Sequence, residues 1–381
     1  MRPETIAVHT GVYQDQTFNS VTTPIYPSST FSFDKLGSHR GFDYTRSGNP
    51  TRAALEANLA ALEGGTVGLA TATGMAAVTT TLFLLESGDH VIAGNDIYGG
   101  TYRLFDQTFP KMGLSFSFID MRDPAAVEAA ITDKTKMIWI ETPSNPLLNI
   151  TDIEAVAKLA RKRGVLTVAD NTFLSPINQR PLELGVDLVL HSTTKYLNGH
   201  SDVVGGALIA RDADLGARVR DAGNALGTAC SPFDAFLVLR GLKTLPQRMR
   251  AHEENGRRLA EHLAAHKQVT RVYFTGMDDH SQRDLIARQQ YGHGGMLAFD
   301  IDADPRKLDA FFDAMDIFLL AESLGGVESL IEQPWSMSHA SMGAHGLKDS
   351  GITEQTIRIS TGLEHVDDLI EDLEKGFAAV K

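Results

Sequence analysis

Cysteine is almost missing from this sequence. A single thiol, Cys230, in 381 residues excludes any disulfide within the chain. Long apolar runs are missing too: nothing approaches the ~20 residues of a membrane-spanning helix, and the opening MRPETIAVHTG holds no apolar signal core. There is no excess of positive charge. Thirty-five Lys and Arg face 48 Asp and Glu, and the net −13 is spread along the chain rather than gathered in a tail. That balance argues against nucleic acid or an anionic membrane as a partner. No G-x-x-x-x-G-K-[ST] occurs, and no G-x-G-x-x-G follows the first predicted strand, so nucleotide-binding readings lose ground. His191 and His200 find no third ligand at a convincing spacing, so no metal is expected. They read as a polar site wall or as ordinary loop histidines. The economical location is the cytoplasm.

What is present is ordinary for a globular protein, 43% hydrophobic and 22% charged. The length favours two domains. Residues 1–48 are poor in helical periodicity and rich in Thr, Ser, Pro and Tyr. They read as an extended N-terminal arm whose Ile25, Tyr26, Phe31 and Phe33 need a surface, naturally a neighbouring subunit. Asn49-Pro50 then starts a helix with Leu55, Leu59 and Leu62 on one face and Gly64-Gly65 at its end.

From there apolar runs alternate with helical patterns. Strands are predicted over 67–70, 90–93, 114–119, 137–140, 165–169, 186–190 and 207–210. Helices are predicted near 75–86, 100–109, 124–131 and 152–163. Such alternation predicts an α/β fold with a mostly parallel sheet. After Pro232 come a long helical stretch (234–265) broken by Pro246, strands at 269–274, 296–301 and 355–360, and helices at 305–315 and 366–379. That is a smaller α+β unit, with the boundary placed near residue 245.

The polar loop His191 to Lys195 follows a buried-looking strand, the place where ligands of open α/β sheets bind. Lys195 beside Ser192 and Thr194 is either a surface lysine or a Schiff-base lysine next to phosphate-holding hydroxyls. Asp170 ends a second apolar strand. It could cap the following turn or hold a pyridine ring nitrogen protonated. Thr73-Gly74-Met75 joins a strand to a helix, where backbone N–H groups suit an anion. Tyr98 could stack on a flat cofactor or simply pack in its loop. Arg358 interrupts an apolar strand and needs a carboxylate, from a substrate or from an internal ion pair. Cys230, with no paired histidine in view, reads as a small structural residue.

Six segments in order resemble the Cys/Met metabolism family of pyridoxal-5'-phosphate (PLP) enzymes, the transsulfuration enzymes: Tyr44 to Arg52, Asp96 to Thr101, Glu141 to Pro146, Asp170 to Phe173, Ser192 to Tyr196 and Ala321 to Gly326. The resemblance implies the PLP-dependent transferase fold, aspartate aminotransferase-like, of fold type I. It would have a seven-stranded sheet in a PLP-binding domain over 49–245 and a small C-terminal domain over 246–381. It also implies the roles. Lys195 would carry the cofactor and shuttle protons, Asp170 would bind the ring nitrogen, and Tyr98 would stack on the ring. Gly74, Met75, Ser192 and Thr194 would hold the phosphate, joined by Tyr44 and Arg46 from a neighbouring subunit of a homotetramer. Arg358, with Asn145 and Ser323, would hold the carboxylate of a small amino-acid substrate. Thr73 stands where many members have Ser and keeps the hydroxyl.

Glu322 resembles the γ-acting synthases and lyases, where an acid there can meet the distal amino group of the substrate, and Asp43 resembles the bacterial γ-synthases, many γ-lyases carrying Glu there. The implied activity is therefore cystathionine γ-synthase, with γ-lyase or mixed γ/β-lyase as the alternative. Two other classes stand against it. A dehydrogenase would need the missing glycine fingerprint, and a non-catalytic descendant would have lost Lys195, Asp170 or Arg358.

Overall fold

The computed structural model of the chain describes residues 1–12, 15 and 17–381. Three positions of the expected arm, 13, 14 and 16, therefore lie outside the described residues. The chain divides into two compact units, Met1–Glu86 with Leu166–Pro246, and Ser87–Val165 with Gln247–Lys381.

Seven strands come from the alternating region: β1 (Val67–Thr71), β2 (His90–Gly94), β3 (Ser115–Ile119), β4 (Thr135–Glu141), β5 (Leu166–Asp170), β6 (Leu188–His191) and β7 (Gly206–Ala210). Each lies within a residue or two of a predicted run. In the first unit the order is β1-β7-β6-β5. β5 runs parallel to β6, whereas β7 is antiparallel to both β6 and β1. The helix Pro50–Glu63 starts as its sequence predicts. Asn49 accepts hydrogen bonds from the N–H groups of Thr51 and Arg52, and Gly64 ends the helix at φ 75°.

A helix at Ala213–Leu226 was not predicted, although Asp212 caps it through the Leu215 N–H. Its two glycines blur the pattern, and both answer to close packing. A Cβ on Gly216 would stand 2.5 Å from Val67, and one on Gly223 2.7 Å from Leu69. The expectation of an N-terminal stretch without helix is also corrected. Pro3–His9 is helical with Ala7 buried, and the Asn58 amide donates to the carbonyls of Ile6, Ala7 and Thr10. A tertiary partner, not periodicity, forms that turn.

In the second unit β2 lies between β4 and β3, parallel to both. The expected helix at 100–109 is Gly99–Arg103 only. It widens into a π-helical turn at Leu104–Thr108 and tightens at Phe109–Met112, where Pro110 has no N–H to give. The rest of this unit is built on β8 (Val269–Tyr273), β9 (Met296–Ile301), β10 (Leu319–Leu320), β11 (Leu330–Glu332) and β12 (Thr356–Ser360), ordered β10-β11-β12-β9-β8.

The helix Val366–Ala379 puts Leu369, Leu373 and Phe377 on one face, into a core with Phe299, Phe311, Ile357 and Ile359. The long helical stretch breaks before Leu245, so Pro246 falls in the first turn of Leu245–Ala265, where a missing N–H costs nothing. No helix among the described residues is long and apolar enough to cross a membrane.

Candidate active site

The first unit gathers the residues expected around a cofactor. β5 and β6 are parallel, so their carboxyl ends deliver Asp170 and His191-Ser192 side by side. Thr172 joins them. Its hydroxyl donates to Asp170 Oδ1 at 2.5 Å and accepts the Ser192 N–H at 2.9 Å. Asp170 Oδ1 also accepts the Thr172 N–H at 3.0 Å. Burial pushes the Asp170 carboxyl above the usual range, against the pull of Thr172 and of the nearby His191 and Lys195. A buried acid of this kind gains from a cationic partner, which a protonated ring nitrogen would supply.

The helix Gly74–Leu82 points its start at the same place. Thr73 caps it by accepting the Ala76 N–H at 2.8 Å. A Cβ on Gly74 would stand 3.1 Å from the Ser192 Cβ, so glycine lets the helix start come this close to Ser192 without crowding it. The first N–H groups of a helix lack partners within it and suit an anion. This donor set fits a PLP phosphate. Thr194 is placed differently from Ser192, because its hydroxyl donates to the Gly205 carbonyl at 3.2 Å and accepts the Gly205 N–H at 3.0 Å. Lys195 follows in the same loop, its N–H bonded to the Ser192 carbonyl at 3.2 Å.

The N-terminal segment brings Asp43, Tyr44 and Arg46 into the first unit. Asp43 accepts the Tyr44 N–H at 2.7 Å, which holds its carboxyl below the usual range. Tyr44 is 47% exposed. Arg46 donates to the Asn224 carbonyl and side chain at 2.7 and 2.8 Å.

His191 is not the loop residue that one of its readings made it. It ends β6, fully buried, and its Nε2 lies 2.5 Å from Glu63, which also accepts from the Asn171 amide at 2.9 Å. His200 keeps to its loop, with Nδ1 at 2.7 Å from the Asn198 carbonyl. Glu63 stands in no motif that the sequence displays, and Thr172, inside the Asp170 to Phe173 segment, shows no role there. Only the fold shows that they brace the two strand ends. Cys230 is buried, with its thiol pushed up to about 12 by burial, as suits a structural residue.

The second unit gathers the residues expected around a substrate carboxylate. Arg358, in the middle of β12 and almost completely buried, meets Glu332 at 2.9 Å, Asn145 Oδ1 at 3.2 Å and the Ser323 carbonyl at 2.8 Å. Ser323 takes a φ of 97°, a strained conformation for a residue with a Cβ. Its neighbour Glu322 is exposed. Tyr98 donates its N–H to Glu141 at 3.0 Å, and its ring lies where a Cβ on Gly100 would come within 2.5 Å. Burial first, then the Glu322 carboxylate, push the Tyr98 phenol up. Tyr98 and Glu322 therefore share one environment. Of the alternatives for Arg358, the structure supplies the internal carboxylate, Glu332, and the buried Nε–H has no hydrogen-bond partner among the described residues.

A family model described as Cys/Met metabolism PLP-dependent enzyme matches residues 4–378. A cystathionine β-lyase of Coxiella burnetii is 47% identical over 373 residues, covering 97% of this chain and 96% of the relative. A cystathionine γ-lyase of Bacillus subtilis is 45% identical over 373 residues, covering 98% of each. The solved cystathionine γ-synthase of Xanthomonas oryzae pv. oryzae, in complex with aminoacrylate and cysteine, superposes with a TM-score of 0.97 at 49% identity. That alignment covers 100% of this chain and 98% of that one.

Proposed function

Since the chain belongs to the Cys/Met metabolism family of PLP-dependent enzymes, we propose that it acts at the γ-carbon of an activated homoserine as a cystathionine γ-synthase. The fold is α/β, of the PLP-dependent transferase type, fold type I. The chain is a PLP-dependent enzyme of transsulfuration. Its relatives divide among synthase, γ-lyase and β-lyase, so the choice of reaction rests on the residues.

The observation that carries the γ-acting reading is Glu322, close enough to Tyr98 to raise its phenol, and Asp43 leans that reading to the synthase. A carboxylate there suits the far amino group of a cystathionine-sized product, and Asp43 is the second acid of the reading. When bound, PLP supplies an electron sink for the carbanion left by loss of the α-proton. Lys195 would hold the cofactor and then act as base, taking the α-proton, handing it on and then taking a β-proton, so that the Cγ–O bond can break and the acid leave as its carboxylate. Cysteine sulfur would take its place. Asp170 would keep the ring nitrogen protonated, and Tyr98 would lie against the ring. Ser192, the N–H groups of Gly74 and Met75, and Thr194, its hydroxyl turned from Gly205, would take the phosphate. Arg358, Asn145 and Ser323 would hold the substrate carboxylate.

In the same reading residues 49–245 form the cofactor domain and 246–381 the smaller one. Residues 1–48 form an arm that brings Tyr44 and Arg46 to the phosphate of a second subunit in a homotetramer. Exposed Phe18, Val21, Phe33 and Leu36 on that segment support a second copy as its surface.

Mass spectrometry of products decides the reaction. One reaction receives O-succinylhomoserine with cysteine, another cystathionine alone. Net cystathionine in the first, with little change in the second, is the expected outcome. Cysteine and 2-oxobutyrate from the second would make the enzyme a γ-lyase; homocysteine and pyruvate would make it a β-lyase.

A further inference from the structure

β11 and β12 run antiparallel, and their register sets Glu332 directly opposite Arg358. Both side chains are buried. An ion pair removed from water stabilises a fold little, because desolvation offsets the attraction, so its retention asks for another reason. The neighbours supply one. Ser338 donates its hydroxyl to Glu332 and lies 2.9 Å from His339 Nδ1. His339 Nε2 lies 3.0 Å from the Asn145 carbonyl, and Asn145 Oδ1 accepts from Arg358. The contacts therefore close a ring, Arg358 to Glu332, Ser338, His339, Asn145 and back to Arg358.

A carbonyl oxygen only accepts, so His339 Nε2 must carry hydrogen. Burial, with Arg358 nearby, brings the imidazole down to about 3, so it is neutral and its Nδ1 is an acceptor. The single hydrogen of Ser338 has two acceptors within reach, Glu332 and Nδ1, which confines the hydroxyl to that side. Every member of the ring has its direction set by the next.

The ring does not use every donor of Arg358. Arg358 spends Nη1 on Glu332 and Asn145 and Nη2 on the Ser323 carbonyl, while its Nε–H is buried without a partner. A buried orphan donor is costly, and an arriving acceptor removes that cost. We propose that Glu332, Ser338 and His339 are positioning residues that lock Arg358 and Asn145 in the orientation that receives the α-carboxylate of an amino-acid substrate. This rests on the reading of Arg358 as the carboxylate anchor.

Calorimetry on the PLP-loaded enzyme tests it with two small amines, glycine and glycinamide, which differ in the carboxylate. The intact enzyme should prefer glycine. Glu332→Gln and His339→Leu should weaken glycine about tenfold and leave glycinamide unchanged. KM for the amino-acid substrate should rise with kcat little altered, at full PLP content and an unchanged visible spectrum. His339→Gln, which restores a donor towards Asn145, should recover most of the loss. Equal weakening of both probes, or loss of PLP along with affinity, would reduce the ring to scaffolding and overturn the inference. Should Glu332→Gln fail to fold, Ser338→Ala removes one hydroxyl and serves alone. An unchanged preference for glycine in that variant also overturns the inference. If the intact enzyme does not distinguish the probes, Arg358 is no carboxylate anchor and the inference falls with that assignment, while product analysis still judges the reaction separately.

Discussion

Burial acts on the ionisable side chains of this protein in opposite senses, and the sense decides what each can do. Asp170 is pushed up, which suits an acid awaiting a cation. His339 and His252 are pushed down, to about 3 and about 4, and stay neutral. His252 is fully buried in the helix Leu245–Ala265. Its Nδ1 lies 2.7 Å from the Thr361 carbonyl, and Arg248 nearby opposes a second charge. Its folded value lies below the ordinary 6.5, so between about 6.5 and 4 the unfolded chain binds a proton that the folded chain refuses. Stability is therefore lost as pH falls through that window, at a rate approaching about 1.4 kcal/mol per pH unit, and the group adds no slope above it. His252→Gln should lower stability at neutral pH and flatten the acid limb by about 1 kcal/mol per unit. Urea unfolding from pH 7.5 to 4.5 reads the slope directly, and an acid limb as steep as that of the intact protein would refute the assignment.

The elements carry the next level of cause, and they show what a sequence can reveal. The strands of the alternating region were legible because β-branched apolar runs bounded by turn residues have few other fates. β11 was not: it is three residues long and ends in Glu332, whose partner Arg358 lies on another strand. The helix Ala213–Leu226 was hidden by glycines that make sense only once Val67 and Leu69 are seen against them. The site divides the same way. Lys195, Asp170 and Arg358 stand in local patterns that sequence displays, whereas Glu63, Glu332 and His339 act on residues distant in the chain and are visible only in the fold; Thr172 stands in a motif, but its bond to the Ser192 N–H is seen only in the fold.

Asn49 illustrates a residue legible for one role that has two. Its Oδ1 caps the helix Pro50–Glu63, while its amide donates to the Tyr26 carbonyl at 2.9 Å and to Thr45 at 3.2 Å. Asn49→Ala should cost about 1 kcal/mol for the cap and about another for the arm contacts. Asn49→Asp, which keeps the accepting oxygen and loses the amide donor, should recover the cap share alone. Thermal unfolding of the two variants separates the shares, and equal losses in both would show that the cap contributes nothing.

At the scale of the whole molecule the question is why the chain carries apolar side chains that its own fold does not cover. Leu36 and Phe18 are 102% and 85% exposed. They lie on the segment that leads to Tyr44 and Arg46, the two residues assigned to a phosphate in another subunit. Arg52 fixes the end of that segment by donating to the carbonyls of Thr45 and Arg46 at 2.5 and 3.2 Å, so it cannot swing freely. A second copy of the chain would cover the apolar side chains and make the site composite. If so, Lys195→Ala and Arg46→Ala damage the same site from different subunits. Each variant alone should be inactive or nearly so. Subunits reassembled from an equal mixture should recover about a quarter of full activity, because half of the shared pairs are hybrids and each hybrid holds one intact site. The native mass should be a multiple of 41.4 kDa, four copies in the tetramer reading. Light scattering gives the mass and the mixing experiment gives the sharing. A mixture as inactive as its parents, with exchange of subunits demonstrated, would place Arg46 in its own subunit's site and leave the exposed arm to another purpose.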